Sequence, residues 1–181
     1  QARAGVVATY TIYAPATGAG HLLNQSSVYA TARASASGVG AGIASIGQFF
    51  ISGPVYDLRI IYLKFDTSSI PSGAVIASAT LNGKITSNSL NGTILVRGFN
   101  WGTTLTTADW IGTTSANSAL LAFLNPIFLP AGRYDFIDIA MGAYITKGGT
   151  TYVALVDYFI EQNDPSHLGT ATFALDDLGA A

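Results

Sequence analysis

The run "VYDLRIIYLKF" at residues 55–65 constrains the fold more than any other stretch of the chain. Read with a period of two, one face carries Val55, Asp57, Arg59, Ile61, Leu63 and Phe65, and the other Tyr56, Leu58, Ile60, Tyr62 and Lys64. Both faces are largely apolar, which predicts a central strand covered on both sides. "DTSSIPSG" follows and reads as a turn. The Asp66 carboxylate accepts backbone N–H bonds there, Pro71 fixes φ, and Gly73 supplies conformational freedom. "AVIASATLNG" then resumes strand alternation, with Val75, Ala77, Ala79 and Leu81 on one face.

Similar short runs recur between Gly, Pro, Asn and Ser along the whole chain, while helical periodicity is nearly absent. Strands are expected at 6–14, 28–34, 46–51, 55–65, 74–85, 92–99, 119–124, 133–139, 151–160 and 171–175. Many short strands with turn signals between them predict an all-β fold, a single jelly-roll β-sandwich with one or two short helical turns. One turn is expected at 139–146, closed by Lys147 and Gly148-Gly149. The other lies in "TTADWIG", with Thr107 capping and Trp110 packed inward. "SASGVGAGIASIG" (35–47) reads as a loop or loose edge. Residues 1–11 form an N-terminal arm and residues 12–181 the jelly-roll domain.

Only 10% of the 181 residues are charged against 49% hydrophobic, where an ordinary soluble domain carries roughly 25% charge. No apolar run reaches the ~18 residues of a membrane-spanning helix. The longest, "SALLAFLNPIFLPAG" (118–132), is cut by Asn125, Pro126 and Pro130. A chain so poor in charge has to hide apolar surface, in its own core or against a neighbour. Its eight basic residues are scattered and its net charge is −2, which argues against nucleic acid as a partner. Cysteine is absent, so disulfides and thiolate metal sites play no part. A first residue Gln1 fits export after removal of a leader. Asn24-Gln25-Ser26 and Asn91-Gly92-Thr93 are glycosylation sequons.

Candidate chemistry is sparse. Asp135 and Asp138 fall on opposite faces of one expected strand, a poor geometry for paired carboxylates. His21 sits in a Gly-rich turn and His167 follows "DPS", with no GxSxG sequence to supply a nucleophile. Asp157, Glu161, Asn163 and Asp164 in "DYFIEQNDPSH" form the one oxygen-rich cluster that calcium would favour, although the spacing is not an EF-hand loop. No other cofactor is indicated. Trp101, Trp110, Tyr134, Tyr144, Tyr152 and Tyr158 are candidates for a sugar-stacking platform or, more simply, for the core. Arg59 on an apolar face needs a carboxylate, and Asp57 and Asp157 are the candidates for a structural ion pair.

The stretch "YLKFDTSSIPSGAVIASATL", preceded by an arginine-bearing strand, resembles the DNRLRE-like jelly-roll domains of phage, prophage and bacterial or archaeal surface proteins. "SSVYATARASASG", "SIGQ", "LTTADW" and "KGGTTYVALVDYFIEQNDPSHLGTATFALDD" extend the likeness over residues 12–177. Two departures stand out: Val156 and Phe159 occupy positions where the family carries a basic and an acidic residue, and 1–9 precede its usual start. The resemblance implies a β-sandwich serving as a structural or adhesive module, with no catalytic residue to carry over.

The arm is the distinctive element. Val6, Ala8, Tyr10 and Ile12 alternate with Val7, Thr9, Thr11 and Tyr13, so 6–13 is either the first strand of its own domain or a strand donated to a sheet edge of another molecule. The expected function is therefore a non-enzymatic structural subunit of an extracellular filament or virion surface. It would polymerise with copies of itself through edge contacts centred on Val6, Val7, Ala8, Tyr10 and Ile12. The alternative is a carbohydrate-binding or adhesive module, with glycans or proteins of the cell surface or virion as partners.

Overall fold

A computed structural model of the chain describes residues 8–14, 19–41, 45–113, 118–127 and 129–174. Eleven strands form its framework: β1 (Ala19–Ser26), β2 (Gly38–Ala41), β3 (Ser45–Phe50), β4 (Tyr56–Asp66), β5 (Asn82–Asn88), β6 (Ile94–Gly98), β7 (Ala119–Leu124), β8 (Gly132–Asp135), β9 (Ile137–Asp138), β10 (Thr150–Asp157) and β11 (Gly169–Ala174). Three short helices interrupt them, α1 (Tyr29–Ala34), α2 (Met141–Tyr144) and α3 (Tyr158–Gln162), together with a 3₁₀ turn at Thr107–Asp109. The fold is all-β, a jelly-roll-like sandwich.

Every ladder is antiparallel. The hydrogen-bonded order is β8-β5-β11-β3-β4-β10-β6-β7-β9. Its two ends are consecutive in the chain, with only Phe136 between β8 and β9, so the sheet nearly closes on itself. Closure removes most exposed edges.

β4 is the hub. β1 runs along one edge of it from Tyr56 to Leu63. The opposite edge is shared: β3 takes residues 56–59 and β10 takes 61–66. Ile61 and Leu63 point into a core with Val153, Leu155, Ile94 and Phe173. Leu58, Ile60 and Tyr62 point into a second core with Leu22, Val156, Trp101 and Trp110. The two-faced apolar run at 55–65 is thus a strand buried on both sides.

Several local expectations are corrected. Residues 28–34 form a helix instead of a strand, because "YATARA" places Tyr29 and Ala32 three apart on one buried face and alanine favours helix. Arg33 at its end donates to the Ile160 and Glu161 carbonyls of α3, at 2.6 and 2.9 Å, satisfying groups a helix C-terminus leaves open. β1 and His21, read as a turn, are a paired strand, and the glycine-rich 35–47 stretch contains β2. The glycines permit close packing: a Cβ at Gly40 would collide with the His21 ring. Strand 151–160 ends at Asp157, whose carboxylate accepts from Phe159 N–H at 3.1 Å and so starts α3. Strand 133–139 breaks at Phe136, which turns into the core while its N–H bonds to the Leu81 carbonyl. The 3₁₀ turn is capped by Thr106, not Thr107, through reciprocal bonds with Asp109. Trp110 does pack inward, donating to the Arg33 carbonyl at 2.7 Å.

Candidate functional site

The turn after β4 is built structurally throughout. The Ser68 hydroxyl, and with it the Ser68 N–H at 3.0 Å, donate to Asp66 and hold its carboxyl below the usual range. Thr67 is buried and donates its N–H to the Gly149 carbonyl, while its hydroxyl meets Thr151 at 3.1 Å. Ala74 N–H returns to the Pro71 carbonyl. This turn therefore locks the end of β4 to β10 and delivers the chain into residues 74–81.

There the pairing stops. The expected strand 74–85 is a strand only from Asn82. Ala74 is held by the Lys147 ammonium on its carbonyl, and Leu81 by Phe136. Among the described residues no hydrogen bond engages the backbone of 75–80, which carries neither helix nor turn, and Val75 is 93% exposed. Facing it lies the arm. Residues 8–14 form no ladder, a correction to the strand expected at 6–14, and among the described residues no backbone bond engages them. Ala14 anchors the arm in the first core, and Tyr10 and Tyr13 are half exposed.

Between these two segments runs a groove of about 850 Å³, with Ala8–Ile12 on one rim and 74–82 on the other. Its floor includes Phe65, Ile70, Met141 and Ile145. Of the expected arm residues, Ala8, Tyr10 and Ile12 lie on this rim, whereas Val6 and Val7 lie outside the described residues. Two backbone segments without hydrogen bonds among the described residues thus flank a slot lined largely by apolar side chains, with Thr67 and Thr151 among them.

The opposite end of β4 carries a closed polar cluster. Arg59 forms a two-pronged pair with Asp57, both contacts 2.9 Å, donates to Ser45 Oγ at 3.1 Å and lies over the Phe49 ring. Gln25, directly across the β1–β4 ladder, donates to the same Asp57 carboxylate at 2.8 Å. Asp157 is not part of this pair, because it faces the α3 terminus instead. One of its oxygens takes the Phe159 N–H, and the other is buried with no partner among the described residues. Burial pushes its carboxyl up to about 7, against the opposing pull of the Phe159 N–H and His167. Gly92 makes room for this arrangement, since a Cβ there would lie 2.7 Å from the Phe159 ring and 2.9 Å from Asp157 Oδ1. Next to it Tyr29 donates to Gln48 at 2.6 Å, and Gln48 donates to the Asp164 and His167 carbonyls.

The expected calcium cluster is dispersed. Glu161 pairs with Arg97, Asn163 is the left-handed C-cap of α3, and Asp164 closes a turn onto Ser166. Among the described residues no group of three or more His, Cys, Asp or Glu is arranged to hold a metal. Ser166 Oγ and Asp164 Oδ2 both meet the same nitrogen, Nδ1 of His167, at 2.9 and 3.1 Å. A relay needs the two ring nitrogens on different partners. Trp101 and Trp110 are buried in the second core, not set out as a platform. Asn24 is 5% exposed and donates its amide to the Thr31 carbonyl at 3.1 Å, which closes that sequon to modification in the folded chain, while Asn91 is exposed.

Gln25, Gln48 and Tyr29 carry the polar clusters and were not singled out from sequence; neutral polar residues in a Ser- and Gln-containing chain give no signal until a strand register brings them opposite an acid. No family model matches the chain, and no curated protein matches it.

Proposed function

We propose that the chain is a non-enzymatic structural subunit of an extracellular filament or virion surface assembly, joining copies of itself through β-edge contacts. The observation that supports this reading is the slot: a largely apolar groove between two segments whose backbones, among the described residues, make no hydrogen bond. Leaving such groups exposed invites main-chain pairing with another chain, and the remaining low charge removes the usual deterrent to it. The polar clusters around Arg59 and Gln48 are hydrogen-bonded within the domain.

Light scattering and electron microscopy of the 181-residue chain, with and without residues 1–9, test this. The intact chain is expected to associate as concentration rises and the truncated chain to lose that association. An intact chain that stays monomeric at high concentration would overturn the proposal.

A further inference from the structure

The slot and the arm that could fill it stand at the same end of the molecule, and this restricts how two copies can meet. A donor arm and an acceptor site on opposite poles generate an open, head-to-tail chain; on one pole they allow two copies to face each other about a two-fold axis. We infer that the slot is closed reciprocally by a second copy, residues 8–13 of each entering between the 74–80 segment and the arm of the other. This rests on the self-association reading above and names its first contact.

The strand order of such a dimer is consistent when read from either copy. It runs from the 74–80 segment of the first copy to the arm of the second, then the arm of the first, then the 74–80 segment of the second. Every unpaired backbone described above gains a neighbour, and no slot remains open. The lengths agree too: six arm residues and seven wall residues each span roughly 20 Å at about 3.3 Å per residue. The residue types fit a strand lying over an apolar floor. Ala8, Tyr10 and Ile12 alternate with Thr9, Thr11 and Tyr13, so one side of the inserted strand offers apolar and aromatic groups. The wall alternates small residues, Ala74, Ala77, Ser78 and Ala79, with the β-branched Val75, Ile76 and Thr80, which offer apolar contact to a neighbouring strand. Ala14, fixed in the core, keeps each arm attached at the mouth of its own slot. The dimer then becomes the repeating unit, and β2, which among the described strands pairs only with β1, keeps an edge for further contacts.

The absence of cysteine makes a direct test clean. The double variant Thr11→Cys with Ser78→Cys, oxidised at concentrations where the unmodified chain is associated, is expected to run as a single covalent species of twice the chain mass. Light scattering on the unmodified chain should give the same doubled mass. A cross-link within one chain would show the arm closing its own slot and overturn the inference. A covalent ladder of trimers and longer species would replace reciprocal exchange by head-to-tail donation, overturning the dimer while leaving the self-association reading intact. A dimer that gives no cross-link places the contact elsewhere and also overturns it. An unmodified chain that remains monomeric throughout overturns both.

Discussion

The two ends of β4 handle the same physical problem in opposite ways. At residues 56–59 the strand is flanked by β1 and β3, and its buried charges are matched: Arg59 by Asp57, Asp57 by Gln25, and the guanidinium face by Phe49. At residues 65–67 the flanking segments 8–14 and 75–80 make no backbone hydrogen bond among the described residues, and the groove between them is largely apolar. One end is finished within a single chain; the other keeps backbone groups that make no hydrogen bond among the described residues. A charge-poor sandwich can therefore be rigid where its polar groups are satisfied and associative where they are not.

If the closed end is finished internally, breaking it should cost folding energy. Asp57→Ala leaves the Arg59 guanidinium, a quarter exposed, without its carboxylate and Gln25 without its acceptor. The expected loss is about 3–5 kcal/mol, or roughly 10 °C in Tm for a chain of this size, measured by chemical and thermal unfolding. A loss below about 1 kcal/mol would remove the distinction between the two ends.

The pH response comes next. Asp157 in the folded chain holds its proton up to about 7, whereas the unfolded carboxyl releases it near 3.8. Between those values the folded state binds more protons, so stability falls as pH rises through the window and stays at its lower level above it. The full difference is at most about 4 kcal/mol, since each unit corresponds to roughly 1.4 kcal/mol. Asp157→Asn keeps an acceptor for Phe159 N–H and should flatten the unfolding free energy between pH 4 and pH 8. His167, Asp164 and Tyr29 stand around the site in both proteins, so the difference between the two curves reports Asp157 together with its coupling to them. Parallel curves would show that the buried carboxyl is not the source.

Much of the closed end was legible in the sequence. The period-two run at 55–65 gave the central strand and both covered faces, and an arginine on an apolar face demanded an acid, with Asp57 two residues away. Which acid it takes was not legible, because Asp57 and Asp157 differ only in where the chain turns: Asp157 becomes the cap of α3. The open end was misread for a related reason. "AVIASAT" and "VVATYTIY" have strand alternation, but alternation reports which face is apolar and says nothing about whether a partner edge lies within hydrogen-bonding distance. Residues 19–26 went unread because glycines and His21 hid a strand whose packing requires those glycines. "YATARA" reads as a strand in sequence, since six residues are too few for helical periodicity to show.

A smaller effect should separate the two sequons along the same line. Asn24 sits on β1 opposite Leu58, at the closed end, with its amide donating to Thr31 O and its oxygen accepting from Gln25 N–H. Asn24→Ala leaves those backbone groups unmatched and should cost about 1–3 kcal/mol. Asn91→Ala, at an exposed turn, should change stability by no more than about 0.5 kcal/mol. Equal losses in denaturant titrations would mean that the Asn24 bonds carry no net energy.

The smallest effect on folding is expected at the open end, where it becomes informative through association instead. Val75 is 93% exposed on the slot rim, so Val75→Ser removes almost no buried surface from the single chain and should leave its unfolding free energy within about 0.5 kcal/mol. In the reciprocal dimer the same side chain lies beside the incoming arm, and the two-fold axis counts it twice. If each copy loses about 1 kcal/mol of apolar contact, the dimer weakens by about 2 kcal/mol, roughly thirtyfold in Kd. Sedimentation equilibrium of the wild-type and V75S chains measures this directly. An unchanged Kd would place Val75 outside the contact, and a lowered folding stability would show that the rim is already packed in the monomer. The contrast between the two ends of β4 survives only if substitution at one end is felt in unfolding and at the other in association.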